Sequence, residues 1–380
     1  MNRRIGLIVF LWAIVNQILA QSPTQAVKTS LQNQKDATTL RIVFAGDIMG
    51  HDSQIAAARV ESTNSYDYTD CFKYLKPFLQ ETDIAVGNLE VTHGGPPYKG
   101  YPQFSSPDEL TDALLDAGFN IMVNANNHAL DRGKEGLERT REVLDKKGMI
   151  LTGSFVSSGQ KELSYPLILE KNGILLAMLN YTYGTNSLVA DTPNIINYID
   201  TLLIRQDIQK ANLVSPDFII ACVHWGKEYQ REENSTQQSI ARFLFSQGVD
   251  AIIGSHPHVV QPIRYEEQGS LYKQPVVYSL GNFISNQRNR YRNGGIIFAM
   301  ELEKTDSTRI RDLDYLPVYV HKPEANGKVS FLLVPCGISD AMMEKIGFSE
   351  KEKAIYLEFC DDTWNHLSDT PRNSYYQTLD

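Results

Sequence analysis

Short apolar runs alternate with amphipathic stretches along the chain, and most of the runs end in a polar cluster. The first run, Leu40-Arg41-Ile42-Val43-Phe44-Ala45, has strand length and ends at Gly46-Asp47-Ile48-Met49-Gly50-His51. Phe72, Leu75, Phe78 and Leu79 fall at helical spacing between Tyr68 and Leu79. Ile84-Ala85-Val86 predicts a second strand, ending at Gly87-Asn88-Leu89-Glu90. Ser106-Pro107-Asp108-Glu109 reads as a capping box that opens a helix to Ala117, with Gly118 as its stop. Ile121-Met122-Val123 leads to Asn124-Ala125-Asn126-Asn127-His128, and a charged helix follows from Lys134 to Lys147. Asn172-Gly173 between two apolar runs signals a hairpin. Residues 197–213 read as helical. The run from Phe218 to Val223 ends at His224-Trp225-Gly226, and a helix from Thr236 to Gln247 stops at Gly248. Ala251-Ile252-Ile253 then leads to Gly254-Ser255-His256-Pro257-His258. Val259 to Tyr265, Val276 to Leu280 (closed by Gly281-Asn282-Phe283) and Ile296 to Leu302 read as further strands. Ser349-Glu350-Lys351-Glu352 opens a last helix to about Leu367.

Such a pattern indicates an α/β protein whose parallel strands are buried on both faces. Ligands of these sheets sit beyond the carboxyl ends of the strands. Those ends carry Asp47 and His51, Asn88 and Glu90, Asn127 and His128, His224, and His256 with His258. Each residue has an ordinary reading by itself: a helix cap for Asp47, turn positions for Asn88, Asn127 and Asn282, a satisfied polar partner for His224. Five of the eight histidines lie at strand ends, however, which surface scatter would rarely produce. His93, His321 and His366 follow no such pattern. Oxygen donors combined with imidazoles suit Mn, Fe or Zn better than calcium. Two such ions could clamp a phosphate and lower the pKa of a bound water. Residues two apart in extended chain point the same way, so His256 and His258 are expected to face one crevice.

Composition narrows the picture. With 42% hydrophobic and 21% charged residues the chain can bury a sizeable core. A net charge of −9 without a long basic run argues against nucleic acid as a partner. Arg3 and Arg4, the apolar stretch Ile5 to Val15 and the small residue Ala20 read as an export signal over residues 1–20; a retained membrane anchor is the alternative. A polar, flexible lead-in is expected over residues 21–39. The spacing of Cys71, Cys222, Cys336 and Cys360 matches no disulfide framework and no cysteine zinc site, and sequence leaves their pairing open.

Taken in order, the motifs at Gly46–Met49, Gly87–Glu90, Asn126–His128, His224–Gly226, Gly254–His258 and Ser279–Phe283 resemble the CapA family, linked to poly-γ-glutamate capsule synthesis. That family is similar in turn to the calcineurin-like metallophosphoesterases. The likeness covers residues 40–302; 303–348 read as an extension packed on that core, and 349–380 as a helix and tail. The resemblance implies a four-layer α/β/β/α sandwich with one or two divalent ions at its edge. It implies Asp47, Glu90, Asn127, His224, His256 and His258 as metal ligands, and Asn127 with His128 as the catalytic pair. Met49 and Asn88 stand where the phosphoesterase pattern has a histidine and a metal-bridging aspartate. His51 and Asn88 are therefore further metal candidates, and Glu90 is the candidate to take over the bridge. Asn282 and Trp225 are candidates for substrate contact.

Three functions remain open on these residues. One is an exported metal-dependent hydrolase of a phosphate ester or related envelope substrate, in the periplasm or at the cell surface. Another is a non-catalytic accessory that binds an anionic polymer during surface assembly, with capsule or envelope proteins as partners. The third is a metal-dependent hydrolase of γ-glutamyl amides. The Tyr- and Pro-rich stretch from Gly94 to Phe104 could line a substrate groove in any of them, and so could Lys227, Arg231, Arg288, Arg290 and Arg292.

Overall fold

The computed structural model describes residues 37–267, 273–325, 327–368 and 370. The expected export signal, most of the lead-in and the end of the tail lie outside these residues. Strand β1 (Thr38–Ile48) begins within the expected lead-in, because Thr38 and Thr39 pair across a sheet with Lys304 and Glu303. β1, β2 (Ile84–Leu89), β3 (Ile121–Val123) and β4 (Ile150–Thr152) run parallel in that order. Successive side chains of a strand point to opposite faces. Leu40, Ile42 and Phe44 pack between two sheets, while Val43 and Ala45 pack against helices. Both faces are covered, so the runs are apolar throughout instead of alternating.

Helix α1 (Asp52–Ala58) follows β1. The helix expected over 68–79 is two short pieces, α2 (Thr69–Phe72) and α3 (Lys76–Gln80). Pro77 causes the break: it has no N–H for a helical bond, and its ring crowds the preceding turn. The four apolar residues that suggested the helix are all buried nonetheless. α4 (Glu109–Ala117) forms without the expected capping box. Arg139 instead holds both carboxylate oxygens of Asp108 at 2.7 Å, and the Ser106 carbonyl faces His93 Nδ1 at 3.1 Å. Tertiary partners outcompete the local cap there. α5 (Gly133–Lys147) ends at left-handed Gly148.

After the short helix α6 (Ser158–Ser164), the chain builds a second sheet. The hairpin β5 (Leu167–Lys171) and β6 (Ile174–Thr182) turns at Asn172 and Gly173, with φ of 51° and 70°. β7 (Phe218–His224), β8 (Ala251–Ser255), β9 (Ile263–Glu267) and β10 (Lys273–Val277) complete the order β9-β10-β8-β7-β6-β5. α7 (Thr201–Asn212) starts later than residue 197 because the Asp200 carboxylate caps Leu202 and Leu203 N–H. α7 and α8 (Ser235–Ser246) cover the outer face through Ile204, Ile208, Ala241, Leu244 and Phe245.

The chain then returns to the first sheet. Asn282 does not close a strand of the second sheet as expected. It opens β11 (Asn282–Ile284), which pairs in parallel with β1. β12 (Gly294–Lys304), β13 (Thr308–His321) and β14 (Leu332–Pro335) add antiparallel strands, giving the order β14-β13-β12-β1-β2-β3-β4. The sheets are therefore mixed, with parallel strands only in part of each. Helices, sheet, sheet and helices make four layers, an α/β/β/α sandwich.

α9 (Asp340–Ile346) and α10 (Glu350–His366) pack on β13 and β14 around Tyr319, Val334, Tyr356 and Phe359. A disulfide joins Cys336 to Cys360 across 24 residues, while Cys71 and Cys222 are free. Loop-closure entropy assigns such a bridge about 3 kcal/mol. A Cys336→Ser/Cys360→Ser protein is expected to lose about that much stability, seen as a lower urea midpoint, with a slope equal to or steeper than wild type because the unfolded chain is no longer cross-linked. An unchanged midpoint would show that the bridge is idle.

His321 is fully buried against Phe348, with ring centroids 3.8 Å apart. Burial pushes its pKa down to about 4. A free imidazole titrates near ~6.5, so between these values the unfolded chain binds the extra proton. The stability held above the higher value is lost as pH falls toward the lower one. A His321→Gln variant should show a flatter decline over this range in urea titrations; an equally steep decline would assign the loss to other groups.

Candidate metal centre

The site sits where strands of both sheets end. Register aligns Asp47 with Asn88 and with Asn282 in the first sheet, and His224 with Thr182 and with Ser255 in the second. Two close backbone approaches make this possible. A Cβ on Gly46 would lie 2.0 Å from the Gly281 carbonyl, and one on Gly254 2.1 Å from the Tyr278 carbonyl. Only glycine fits at either position.

Asp47, Glu90, His224, His256 and His258 converge and are all buried. His258 Nδ1 lies 2.9 Å from Asp47 Oδ2, and the His256 N–H reaches Asp47 Oδ1 at 3.4 Å. The extended geometry expected for the histidine pair is absent. His256 and His258 have φ of 103° and 57°, and the segment turns instead of continuing β8. Positive φ in two non-glycine residues is backbone strain of the kind concentrated at functional sites.

Burial pushes the Asp47 carboxyl up, but the hydrogen bonds and charge of His258 and the Asn88 amide hold it below its ordinary range. Burial, followed by the adjacent Asp47 charge, raises Glu90 well above its ordinary value. Burial and neighbouring imidazoles depress His224 strongly and bring His256 to about 3. Neutral imidazoles beside carboxylates are the donor set a divalent ion requires.

The residues fit such an ion. Glu90, His224 and His256 form one group whose ligand atoms lie within 4.8 Å of each other, and Asp47, Glu90 and His258 form another. Glu90 belongs to both. Its Oε1 is buried without a hydrogen-bond partner among the described residues, 3.6 Å from His224 Nε2 and 3.9 Å from His258 Nε2. His256 Nδ1 is unpartnered as well. Orphaned buried polar atoms are costly unless something meets them.

The other expected residues divide. Asn127 Oδ1 lies 2.7 Å from His224 Nε2, at the edge of the cluster. Asn88 turns its amide nitrogen to the cluster, donating to Asp47 Oδ1 at 2.8 Å. It organises the carboxylates and offers no ligand atom to the cluster in this orientation. His51 is outside both groups: its Nδ1 faces Gln54 Oε1 at 3.0 Å and the Asn286 N–H at 3.2 Å, at the start of α1. Trp225 is a core residue, 1% exposed and donating to the Tyr278 carbonyl at 2.9 Å. Asn282 is buried too, and its amide ties down the carbonyls of His258 and Arg292. Of the basic residues, Arg290 is locked onto Glu358 and Asp362, Arg231 stacks on Tyr291, and Arg292 stacks on Tyr229. In the Gly94–Phe104 stretch, Phe104 is buried with its ring against His51 and His128, while Tyr101 is exposed.

Three contributors had no role assigned from the sequence. Asp131 holds His128 Nδ1 at 2.7 Å and also accepts the Phe104 N–H. Its spacing of three residues from His128 was the available signal. Asn126 braces Asn88 Oδ1 and the Leu89 carbonyl and receives the His128 N–H. Tyr183 places its ring 4.5 Å from His256 and is half-exposed, with no sequence cue.

A four-layer sandwich with buried carboxylates and imidazoles gathered at its strand ends defines an α/β/β/α protein with a candidate metal centre. Residues 41–287 match the family described as bacterial capsule synthesis protein PGA_cap, and the chain belongs to that family. It is 28% identical over 370 residues to the PGA biosynthesis protein CapA of Bacillus subtilis (strain 168), covering 93% of this chain and 83% of that protein. It is 27% identical over 356 residues to the capsule biosynthesis protein CapA of Bacillus anthracis, covering 90% and 77%. Among solved structures, the NAD nucleotidase of Haemophilus influenzae superposes with a TM-score of 0.47 at 11% identity, over 87% of this chain and 72% of that one.

Proposed function

We propose that this is an exported, metal-dependent hydrolase acting on a phosphate ester or related bond during capsule polymer synthesis. The observation that carries the reading is Glu90, a buried carboxylate shared by two separate ligand groups with one oxygen unmet. Asp47, His258 and Glu90 would hold one ion, and Glu90, His224 and His256 another, with Asn127 Oδ1 beside His224. A bound ion would supply Lewis acidity and a lowered pKa for its water. The chain supplies the rest. Asp131 fixes the His128 ring by Nδ1, which leaves Nε2 as the nitrogen able to pass a proton to a leaving group. Phe104 walls the ring from the other side.

Export is supported by the Cys336–Cys360 bridge, since disulfides persist in oxidising compartments. Among the described residues no helix is long and apolar enough to cross a membrane. The names of the two Bacillus relatives support the capsule role; envelope assembly proteins as partners are part of the proposal.

A non-catalytic accessory that binds an anionic polymer is the second reading. Asn88 favours it, because a neutral amide stands where a second bridging charge would be expected. Metal analysis with turnover of an aryl phosphate under Mn, Fe and Zn tests the first reading, and chain length of poly-γ-glutamate after incubation tests amide cleavage by the same centre. Folded protein with neither bound metal nor turnover would leave the accessory reading standing.

A further inference from the structure

Among the described residues the exposed aromatic side chains are three tyrosines, Tyr101, Tyr183 and Tyr229, at 70%, 48% and 38% exposure. Single apolar side chains scattered on a surface are ordinary, but these three gather at one place. Tyr101 meets Phe104, whose ring lies against His128. The Tyr229 ring lies 6.1 Å from His258 and carries the Arg292 guanidinium 3.4 Å from its centre, so a cation already occupies it. Tyr183 differs from both. Its ring lies 4.5 Å from that of His256, and it stacks within 8° of the His224 plane at 6.2 Å. It therefore stands against two members of one ligand group, Glu90, His224 and His256. Neither a cation nor a hydrogen bond among the described residues occupies its side chain.

The backbone beneath that ring is fixed by residues of the centre itself. Tyr183 directly follows β6, and its N–H donates to the His224 carbonyl at 3.0 Å, continuing the register that pairs Thr182 with His224. Three residues on, Asn186 Oδ1 accepts from Asn127 Nδ2 at 3.3 Å, which leaves Asn127 Oδ1 facing His224. The Thr185 hydroxyl closes the turn on the Leu188 carbonyl at 2.6 Å and meets the Tyr198 hydroxyl at 2.9 Å. Asn186 and Ser187 hold positive φ, 48° and 64°, strain of the kind kept where a chain presents a group to a ligand. A ring on a held backbone has two side-chain torsions to fix, so it loses little freedom when a ligand covers it. About half of it still meets water. A flat, unsaturated ring laid on it gains apolar burial and stacking together, whereas a saturated substituent gains the burial alone.

We propose that Tyr183 is a specificity-determining residue, stacking on a flat, unsaturated ring in the organic part of a phosphate ester whose phosphate is held at the Glu90, His224 and His256 group. The inference rests on the reading that this centre takes phosphate esters, and deepens it by naming the class of substituent. Calorimetric titration of the full chain, loaded with Mn or Zn, with phenylphosphonate, cyclohexylphosphonate and methylphosphonate tests it. Their carbon–phosphorus bonds are not esters, so binding is read apart from turnover. Wild type is expected to bind the phenyl compound at least about tenfold more tightly than the methyl compound and about threefold more tightly than the cyclohexyl compound. Tyr183→Ala should reduce the phenyl-over-methyl preference to about twofold or less, and Tyr183→Phe, which keeps the ring and loses the hydroxyl, should retain it. Four results would each overturn the subsite: equal binding of the phenyl and cyclohexyl compounds by wild type, loss of the preference in Tyr183→Phe, an undiminished preference in Tyr183→Ala, or loss of all three ligands together in Tyr183→Ala, which would make the residue a support of the centre. Wild type that binds all three alike would overturn the subsite and leave the phosphate-ester reading standing. Wild type that binds none would overturn both.

Discussion

Glu90→Gln is expected to weaken divalent metal binding by at least about a hundredfold, a loss of roughly 2.7 kcal/mol. Glutamine keeps the shape and removes the charge. Glu90 is the one residue common to both ligand groups, so its loss reaches both at once. Asp47 would remain as the sole anion among the clustered groups, already committed to His258 and Asn88. The metal-free variant should be at least as stable as metal-free wild type. A buried carboxylate with an unmet oxygen is costly, and the substitution removes its charge. Metal titration of purified protein and urea denaturation in chelator measure the two effects. Unchanged affinity would remove Glu90 from the centre and return attention to Asn127.

His128→Ala is expected to lower turnover by about 10²–10⁴-fold, the range for loss of a general acid, with metal content unchanged. His128 lies outside both ligand groups, which is why the two readouts should separate. Asp131→Asn should act in the same direction but less, because it loosens the ring without removing it. Single-turnover rates with aryl phosphates of differing leaving-group pKa distinguish the role: the poorer the leaving group, the greater the loss. A uniform loss would indicate positioning, and no loss would remove His128 from the chemistry.

Much of this site was legible before any coordinates. Asp47, Glu90, His224, His256 and His258 follow apolar runs, and a buried run that ends abruptly in metal-binding residue types is a local signal. Trp225, Asn282 and His51, which the structure places in neither ligand group, are equally polar or aromatic and equally close to the motifs. Their side chains turn away, toward Tyr278, the 287–292 loop and Gln54 respectively. Side-chain direction in irregular chain depends on partners that sequence spacing does not reveal. The same limit applies to the histidine pair. Alternation presumes extended backbone, and the positive φ at both residues replaces it with a turn held by Asp47, more than two hundred residues earlier.

By itself the sequence determined the strands and helices, the four-layer class through its ordered motifs, and the residue types at the strand ends. The elements and the strand-end residues follow from local periodicity and from the burial that apolar runs demand; the four-layer class is what the resemblance carried by the ordered motifs implies. Only the tertiary structure decided that β11 returns to the first sheet, that Glu90 stands between two ligand groups, that Asn88 donates where a bridging ligand was expected, and that Asp131 steadies His128. Each is a contact between segments far apart in the chain or a choice of side-chain direction. Such contacts are settled by packing and hydrogen-bond satisfaction across the whole fold, which no local stretch encodes.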